Sequence, residues 1–166
     1  MKLFHGKRLK FATIERFSPN VVLEMEKGAM VTLGSKVRVH SGSKIKVRSK
    51  GVLSIENDVH FNYNCILICR KKISIGEGTE FGPSVYIYDH DHDYKRGLKN
   101  QFFRGEEIKI GKNCWIGANT IILKGTTIGD NCVVSAGCVL NGKYNNNSRI
   151  IQKRNTIVEH INNAEH

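Results

Sequence analysis

From Ile110 the chain divides into sixes: IGKNCW, IGANTI, ILKGTT, IGDNCV and VSAGCV, closing on Leu140. Position one is aliphatic throughout, at Ile110, Ile116, Ile122, Ile128, Val134 and Leu140. Position four reads Asn113, Asn119, Gly125, Asn131 and Gly137, the two residue types that most readily adopt positive φ, so a tight turn is expected every six residues. Position five is small, at Cys114, Thr120, Thr126, Cys132 and Cys138, and is expected to fill space beside the inward aliphatic. Three such hexads make one triangular coil of about 18 residues, and stacked coils make a parallel β-helix, an all-β fold.

The same register reappears upstream as IGEGTE from Ile75 and FGPSVY from Phe81, closing on Ile87, with Gly78 and Ser84 at position four and Thr79 and Val85 at position five. Earlier still the hexads lose their regularity but stay strand-like. In SKVRVHSGSKIKVRSKG, inward Val37, Val39, Ile45 and Val47 alternate with Arg38, His40, Lys44, Lys46 and Arg48, a half-buried strand pattern with a basic outer face. Only residues 1–17 and the C-terminal tail read as short helices. The β-helix is therefore assigned to residues 1–143, best defined at 75–87 and 110–140, with an irregular or helical tail at 144–166. One extended loop, at about 88–109, interrupts it and opens with YDHDHDYKRG. Excursions from rigid scaffolds are where binding and catalytic groups tend to sit.

Composition narrows the setting. At 166 residues and 40% hydrophobic, the chain suits one domain, and no apolar run approaches the ~20 residues of a membrane helix. The first residues lack the apolar segment of a secretory signal, and five cysteines without a C-x-x-C pair read as reduced thiols, so a cytoplasmic protein is expected. Cys114 and Cys132, 18 residues apart, should stack as core fillers. The net charge of +11 is concentrated in residues 1–50, which hold 12 Lys or Arg against three Glu. Such a patch suits an anionic ligand, an anionic polymer or the inner membrane surface. No motif supports nucleic acid.

Tandem Ile-Gly-x-Asn-small hexads with one His-bearing loop resemble the hexapeptide-repeat acyltransferases, in particular the galactoside, maltose, nodulation-factor and surface-polysaccharide O-acetyltransferases. The resemblance implies a left-handed coil, a homotrimer, acetyl-CoA bound between neighbouring β-helices, and a loop histidine that takes the proton from an acceptor hydroxyl. Histidine suits that task because its unperturbed pKa, about 6.5, lies near working pH. His92, opening H92-D-Y94, matches the family's base. His90 is the alternative base or a residue that orients the loop. The same register places the family's active-site asparagine on Asn62, to bind the acceptor or stabilise the developing oxyanion. Tyr88, Asp91 and Asp93 fall on the acceptor side. Of Asp89, Asp91 and Asp93, one is expected to orient an imidazole and at least two to be solvated.

Trp115, the single tryptophan, matches a family tryptophan beside the cleft. By the same likeness Ala118 and Ala136 offer backbone hydrogen bonds to the pantetheine arm, and Ser135, Gly137 and Lys143 lie near the cofactor's distal end. Arg149, Lys153 and Arg154 are further partners for its phosphates. The chain departs from the family after the last hexad, where G142-KYNNNSR replaces a Gly-x-Pro-Ala turn. The implied acceptor is a sugar hydroxyl of a surface polysaccharide or its precursor, with an anionic or lipid-linked glycan favoured by the basic N-terminal part. An N-acetyltransferase of an amino-sugar nucleotide and a non-catalytic carbohydrate-binding β-helix are the alternatives. A zinc site on His90 and His92 is the chemical rival, but His40, His60, His90 and His92 do not reproduce the spacing of the β-helical carbonic anhydrases, and no metal is expected.

Overall fold

The computed structural model describes residues 8–12, 16–96 and 102–153. They wind into a left-handed parallel β-helix of about six turns. Its three sheets are the faces of a triangular prism. Face A stacks Leu9–Phe11, Met30–Leu33, Val52–Ile55, Lys72–Ile75, Ile108–Ile110, Thr127–Ile128 and Lys143–Tyr144. Face B stacks Arg16–Phe17, Arg38–Val39, His60–Phe61, Glu80–Phe81, Trp115–Ile116, Val133–Val134 and Arg149–Ile150. Face C stacks Val22–Met25, Lys44–Val47, Ile66–Cys69, Tyr86–Tyr88, Ile121–Ile122 and Val139–Leu140. The chain runs A, B, C in every coil, so each side chain belongs to a numbered face and edge.

The hexad columns translate directly. Asn113, Asn119, Gly125, Asn131, Gly137, Gly78 and Ser84 all have positive φ, between 52° and 77°. The position-one aliphatics are buried, as are Phe61 and Phe81, which stack with ring centroids 4.6 Å apart in the core. Position five does more than fill space. Thr79 Oγ1 donates to Gly111 O at 2.8 Å, Cys114 Sγ to Gly129 O at 3.1 Å, and Cys132 Sγ to Asn145 O at 3.1 Å. At these three positions the small side chain also satisfies a carbonyl of the following coil, whereas Val85 only fills the space. Position two is often glycine for another reason: a Cβ on Gly117 would lie 2.5 Å from Ala136 N, inside the adjoining backbone.

Several expectations are corrected. The N-terminal coils are regular rather than decayed, but longer: Leu9 pairs with Val31 and Val31 with Leu53, an advance of 22 residues, against 18 from Ile110 to Ile128. Four-residue strands on faces A and C account for the difference and hide the six-residue count. Leu9–Phe11 and Arg16–Phe17 are strands, not helix, because Leu9 and Phe17 pack against the core. The loop is shorter than 88–109, since Tyr88 ends a strand of face C and Ile108–Ile110 pairs with Ile73–Ile75. The helix also continues beyond residue 143. Asn145–Asn147 forms another corner, Asn147 has φ 59°, and an asparagine ladder runs from Asn113 through Asn131 to Asn147. The asparagine run thus continues the turn column where a Pro-Ala turn was absent. Of the tail, Arg154 and the residues after it lie outside the described residues.

Candidate active site

The excursion at the edge from face C to face A is an antiparallel hairpin pairing His90–His92 with Phe103–Gly105, followed on its first arm by a 3-10 turn at Tyr94–Arg96. Its root is Asp89, which is wholly buried. The carboxylate accepts hydrogen bonds from Arg70 N at 2.8 Å, Lys71 N at 2.7 Å and His90 Nδ1 at 2.9 Å. Burial opposes its charge, but the bonds from His90, Arg70 and Lys71 outweigh burial and hold its pKa below the usual carboxylate value. A charged Asp89 accepts from His90 Nδ1, which makes Nδ1 the donor of this contact.

The two histidines share one side of the strand but have different surroundings. His90 is half-buried against the edge of Phe103, with ring centroids 5.5 Å apart. His92 is exposed and lies across the same ring at 4.6 Å. Phe103 also meets Arg70, whose guanidinium carbon stands 3.5 Å from the ring centroid. His92, with Asp91, Asp93, Tyr94, Arg104 and Lys124, lines a cavity of about 420 Å³. His90 therefore has the carboxylate partner, and His92 has the open space.

The expectation that two of the three aspartates are merely solvated is corrected. Asp91 pairs with Lys124 at 3.1 Å, which also reaches Glu106 at 3.6 Å and so ties the hairpin to the next coil. Asp93 is buried, and Arg104 stands 3.0 Å from its Oδ1 as an ion pair without hydrogen-bond geometry. A loop this short, laid against the coil, brings every carboxylate within reach of a cation. Arg70, Phe103 and Lys124 were not singled out from the sequence. Each meets the site through side-chain contacts, and no local pattern marks them.

The other expected residues lie elsewhere. Asn62 sits at the edge from face B to face C, where its Oδ1 accepts from Tyr63 N at 2.8 Å. Ala118, Ser135, Ala136 and Gly137 occupy the same edge on later coils. There Gly137 N donates to Ala118 O at 2.7 Å. Trp115 opens face B and is 50% exposed, as expected for an outward position. Lys143 is exposed on face A. One chain thus brings Asn62 together with the alanine corner, but separates them from Tyr88, His90 and His92 by the width of face C. From the Ile66–Cys69 strand onward the outer surface of that face is apolar: Ile66, Tyr86, Ile121 and Val139 form one register row, with Ile68 and Tyr88 beside it, whereas the two N-terminal strands continue these rows with Lys44, Lys46 and Glu24. Burial pushes the Tyr88 hydroxyl up, and the neighbouring Tyr86 adds to the effect, so Tyr88 stays a neutral donor.

A family model described as the hexapeptide repeat of succinyl-transferase matches residues 107–141. Nodulation protein L of Rhizobium meliloti (strain 1021) is 43% identical over 76 residues, 45% of this chain and 42% of its own length. WbbJ of Escherichia coli (strain K12), assigned as an O-acetyl transferase of lipopolysaccharide biosynthesis, is 25% identical over 130 residues, 72% of this chain and 66% of its own. A solved maltose O-acetyltransferase from Clostridium difficile 630 superposes with a TM-score of 0.53 at 27% identity, over 86% of this chain and 61% of that one. Residues 107–141 thus carry the hexapeptide repeat of these transferases, and the relatives that the chain resembles include acetyltransferases. The chain spans between about two fifths and two thirds of the length of these curated relatives. The matched segment carries Trp115 and the alanine corner, whereas the His90–His92 strand lies outside it. Among the described residues, no three His, Cys, Asp or Glu side chains converge as a metal cage, and no helix is long and apolar enough to cross a membrane.

Proposed function

We propose that this protein transfers the acetyl group of acetyl-CoA to a sugar hydroxyl of a surface glycan or its precursor, with His92 as general base. The observation that carries the reading is the placement of His92: an exposed imidazole held on Phe103, lining the cavity at the rim of an apolar sheet face. Burying that face against a second copy sets the hairpin of one chain beside the Asn62 and Ala118 edge of the next, so a homotrimer closes three equivalent sites. Pantetheine then runs along the alanine corner past Ala118 and Ala136, with Trp115 flanking the cleft and Ser135, Gly137 and Lys143 toward its distal end. Asn62 Nδ2 donates to the acceptor or to the developing oxyanion.

The acceptor hydroxyl gives its proton to the imidazole as its oxygen bonds to the thioester carbonyl carbon. The tetrahedral species then expels the CoA sulfur, which leaves as the thiol after taking the proton from the imidazolium. Tyr88, Asp91 and Asp93 border the acceptor. Asp89 and His90 keep the hairpin rigid beneath His92. A second reading makes His90 the base, favoured by its 2.9 Å contact to the buried Asp89 carboxylate. Acetyl-CoA consumption with neutral and acidic oligosaccharides and with amino-sugar nucleotides tests the proposal. Turnover confined to amine acceptors would replace the O-transfer reading, and absence of acetyl-CoA binding would refute acyl transfer altogether.

A further inference from the structure

The first outward column of face B changes character along the prism. Arg16, Arg38, His60, Glu80, Trp115 and Val133 are successive register partners, each about 4.8 Å from the next. At its N-terminal end Arg16, Lys36, Arg38 and Asp58 line a cavity of about 340 Å³. Three cations face one carboxylate, and Asp58 stands 3.7 Å from Arg38, too far for a hydrogen bond. Like charges directly opposite in a sheet repel. Elsewhere the protein relieves that repulsion: on face C, Arg48 meets Glu24 at 2.6 Å and Glu26 at 2.8 Å, and Lys46 meets Glu24 at 2.9 Å. The face B cations are left stacked instead. Arg38 Nε and, one strand on, His60 Nε2 are buried without a hydrogen-bond partner among the described residues. Burial and then the Arg38 charge hold His60 below its ordinary pKa, so its neutral ring can serve as a hydrogen-bond donor beside the cations.

Position gives this cavity a purpose. His60 and Asn62 belong to one coil, so the cations begin one coil spacing, about 5 Å, on the N-terminal side of that coil and at the opposite end of the short face B strand from Asn62, while Ala118 lies two coils beyond on the other side. We propose that the Arg16–Lys36–Arg38 cavity binds an oxyanion carried by the acceptor and thereby places the acceptor's sugar at the Asn62 corner. The oxyanion is either the diphosphate of an activated sugar or the carboxylate of an acidic sugar, both of which arginine forks match. The excess of 12 Lys or Arg over three Glu in residues 1–50 adds long-range attraction for such a ligand. The inference rests on the acyl-transfer reading only for the origin of the anion; the binding itself is measured separately.

Calorimetric titration of the full chain, saturated with acetyl-CoA so that the cofactor's own phosphate contacts are filled, uses pyrophosphate in one arm and trigalacturonate in the other. At least one anion should bind, with an affinity that weakens as salt rises, and should lose about tenfold or more in Arg16→Gln/Arg38→Gln. The variant should keep the wild-type melting temperature and acetyl-CoA affinity. If the double variant does not fold, Lys36→Gln at the exposed turn must weaken the same anion several-fold. Preference for pyrophosphate assigns a diphosphate-linked acceptor, and preference for trigalacturonate an acidic glycan. Binding of neither anion at low salt, or equal binding by wild type and variants, overturns the proposal. Failure of acetyl-CoA to bind while an anion still binds would remove the acyl-transfer reading and leave the anion site standing.

Discussion

Replacing Asp89 by Asn tests how the hairpin is anchored. The carboxylate is wholly buried and receives Arg70 N at 2.8 Å, Lys71 N at 2.7 Å and His90 Nδ1 at 2.9 Å. Asparagine keeps one acceptor oxygen and turns an amide NH2 toward donors that need an acceptor. At least one charge-assisted bond is lost, about 1.5–3 kcal/mol, and at least one buried donor is left unmatched, about 1–3 kcal/mol more. Asp89→Asn should therefore lose about 3–5 kcal/mol at pH 7 by urea denaturation. The sign of the pH dependence follows from the depressed folded pKa of Asp89. Its stabilisation is present above the unfolded carboxyl pKa, about 3.9, and is lost as pH falls through the lower folded value. The gap between wild type and variant should accordingly narrow at pH 3. A variant within about 0.5 kcal/mol of wild type at pH 7, the scale of an ordinary surface change, would refute the anchoring role, as would a gap that widens in acid.

Other perturbations probe the scaffold and the site separately. Gly117→Ala puts a Cβ 2.5 Å from Ala136 N and should cost about 1–3 kcal/mol or more in a thermal melt, because backbone rather than a flexible side chain must move. Asn131→Ala leaves φ 56° to a residue without the side-chain amide that lets asparagine tolerate the left-handed region, and it removes the middle of the asparagine ladder; a loss of about 1–2 kcal/mol is expected, and Asn131→Gly should recover the backbone part of it. Phe103→Ala should lower kcat more than it raises KM, since the ring contacts His90, His92 and Arg70 rather than the open cavity. Burial raises the Cys65, Cys69 and Cys114 thiol pKa values, and all five thiols are buried, so a thiol reagent should react slowly with native protein and rapidly with all five in urea.

The C-terminal coils could be read almost residue by residue, because a two-residue strand and a fixed corner repeat every six residues from Ile110 to Leu140. The positive-φ positions followed from Asn and Gly alone. The N-terminal coils could not, because Met30–Leu33, Lys44–Val47 and Val52–Ile55 are four residues long and change the count while keeping the alternation. The protic role of Thr79, Cys114 and Cys132 was hidden for a different reason, since the acceptor belongs to the following coil. At the site, Asp89, His90 and His92 announced themselves by type and clustering. Arg70 and Phe103, 33 residues apart, had no such signal, and only the excursion of the hairpin across the coil joins them. That Asn62 and His92 stand on different edges is likewise a property of coil length, invisible until each strand has a face.

The assignment of the base is the central claim, and one comparison bears on it most directly: steady-state acetyl transfer by His92→Ala and His90→Ala beside wild type, with acetyl-CoA affinity and melting temperature measured on each. Loss of a general base lowers kcat by about 10²–10⁴. His92→Ala should fall in that range while still binding acetyl-CoA and melting like wild type. His90→Ala should retain more activity but lose stability with its Asp89 contact. An active His92→Ala beside an inactive, well-folded His90→Ala would contradict the account and move the chemistry to the Asp89–His90 pair.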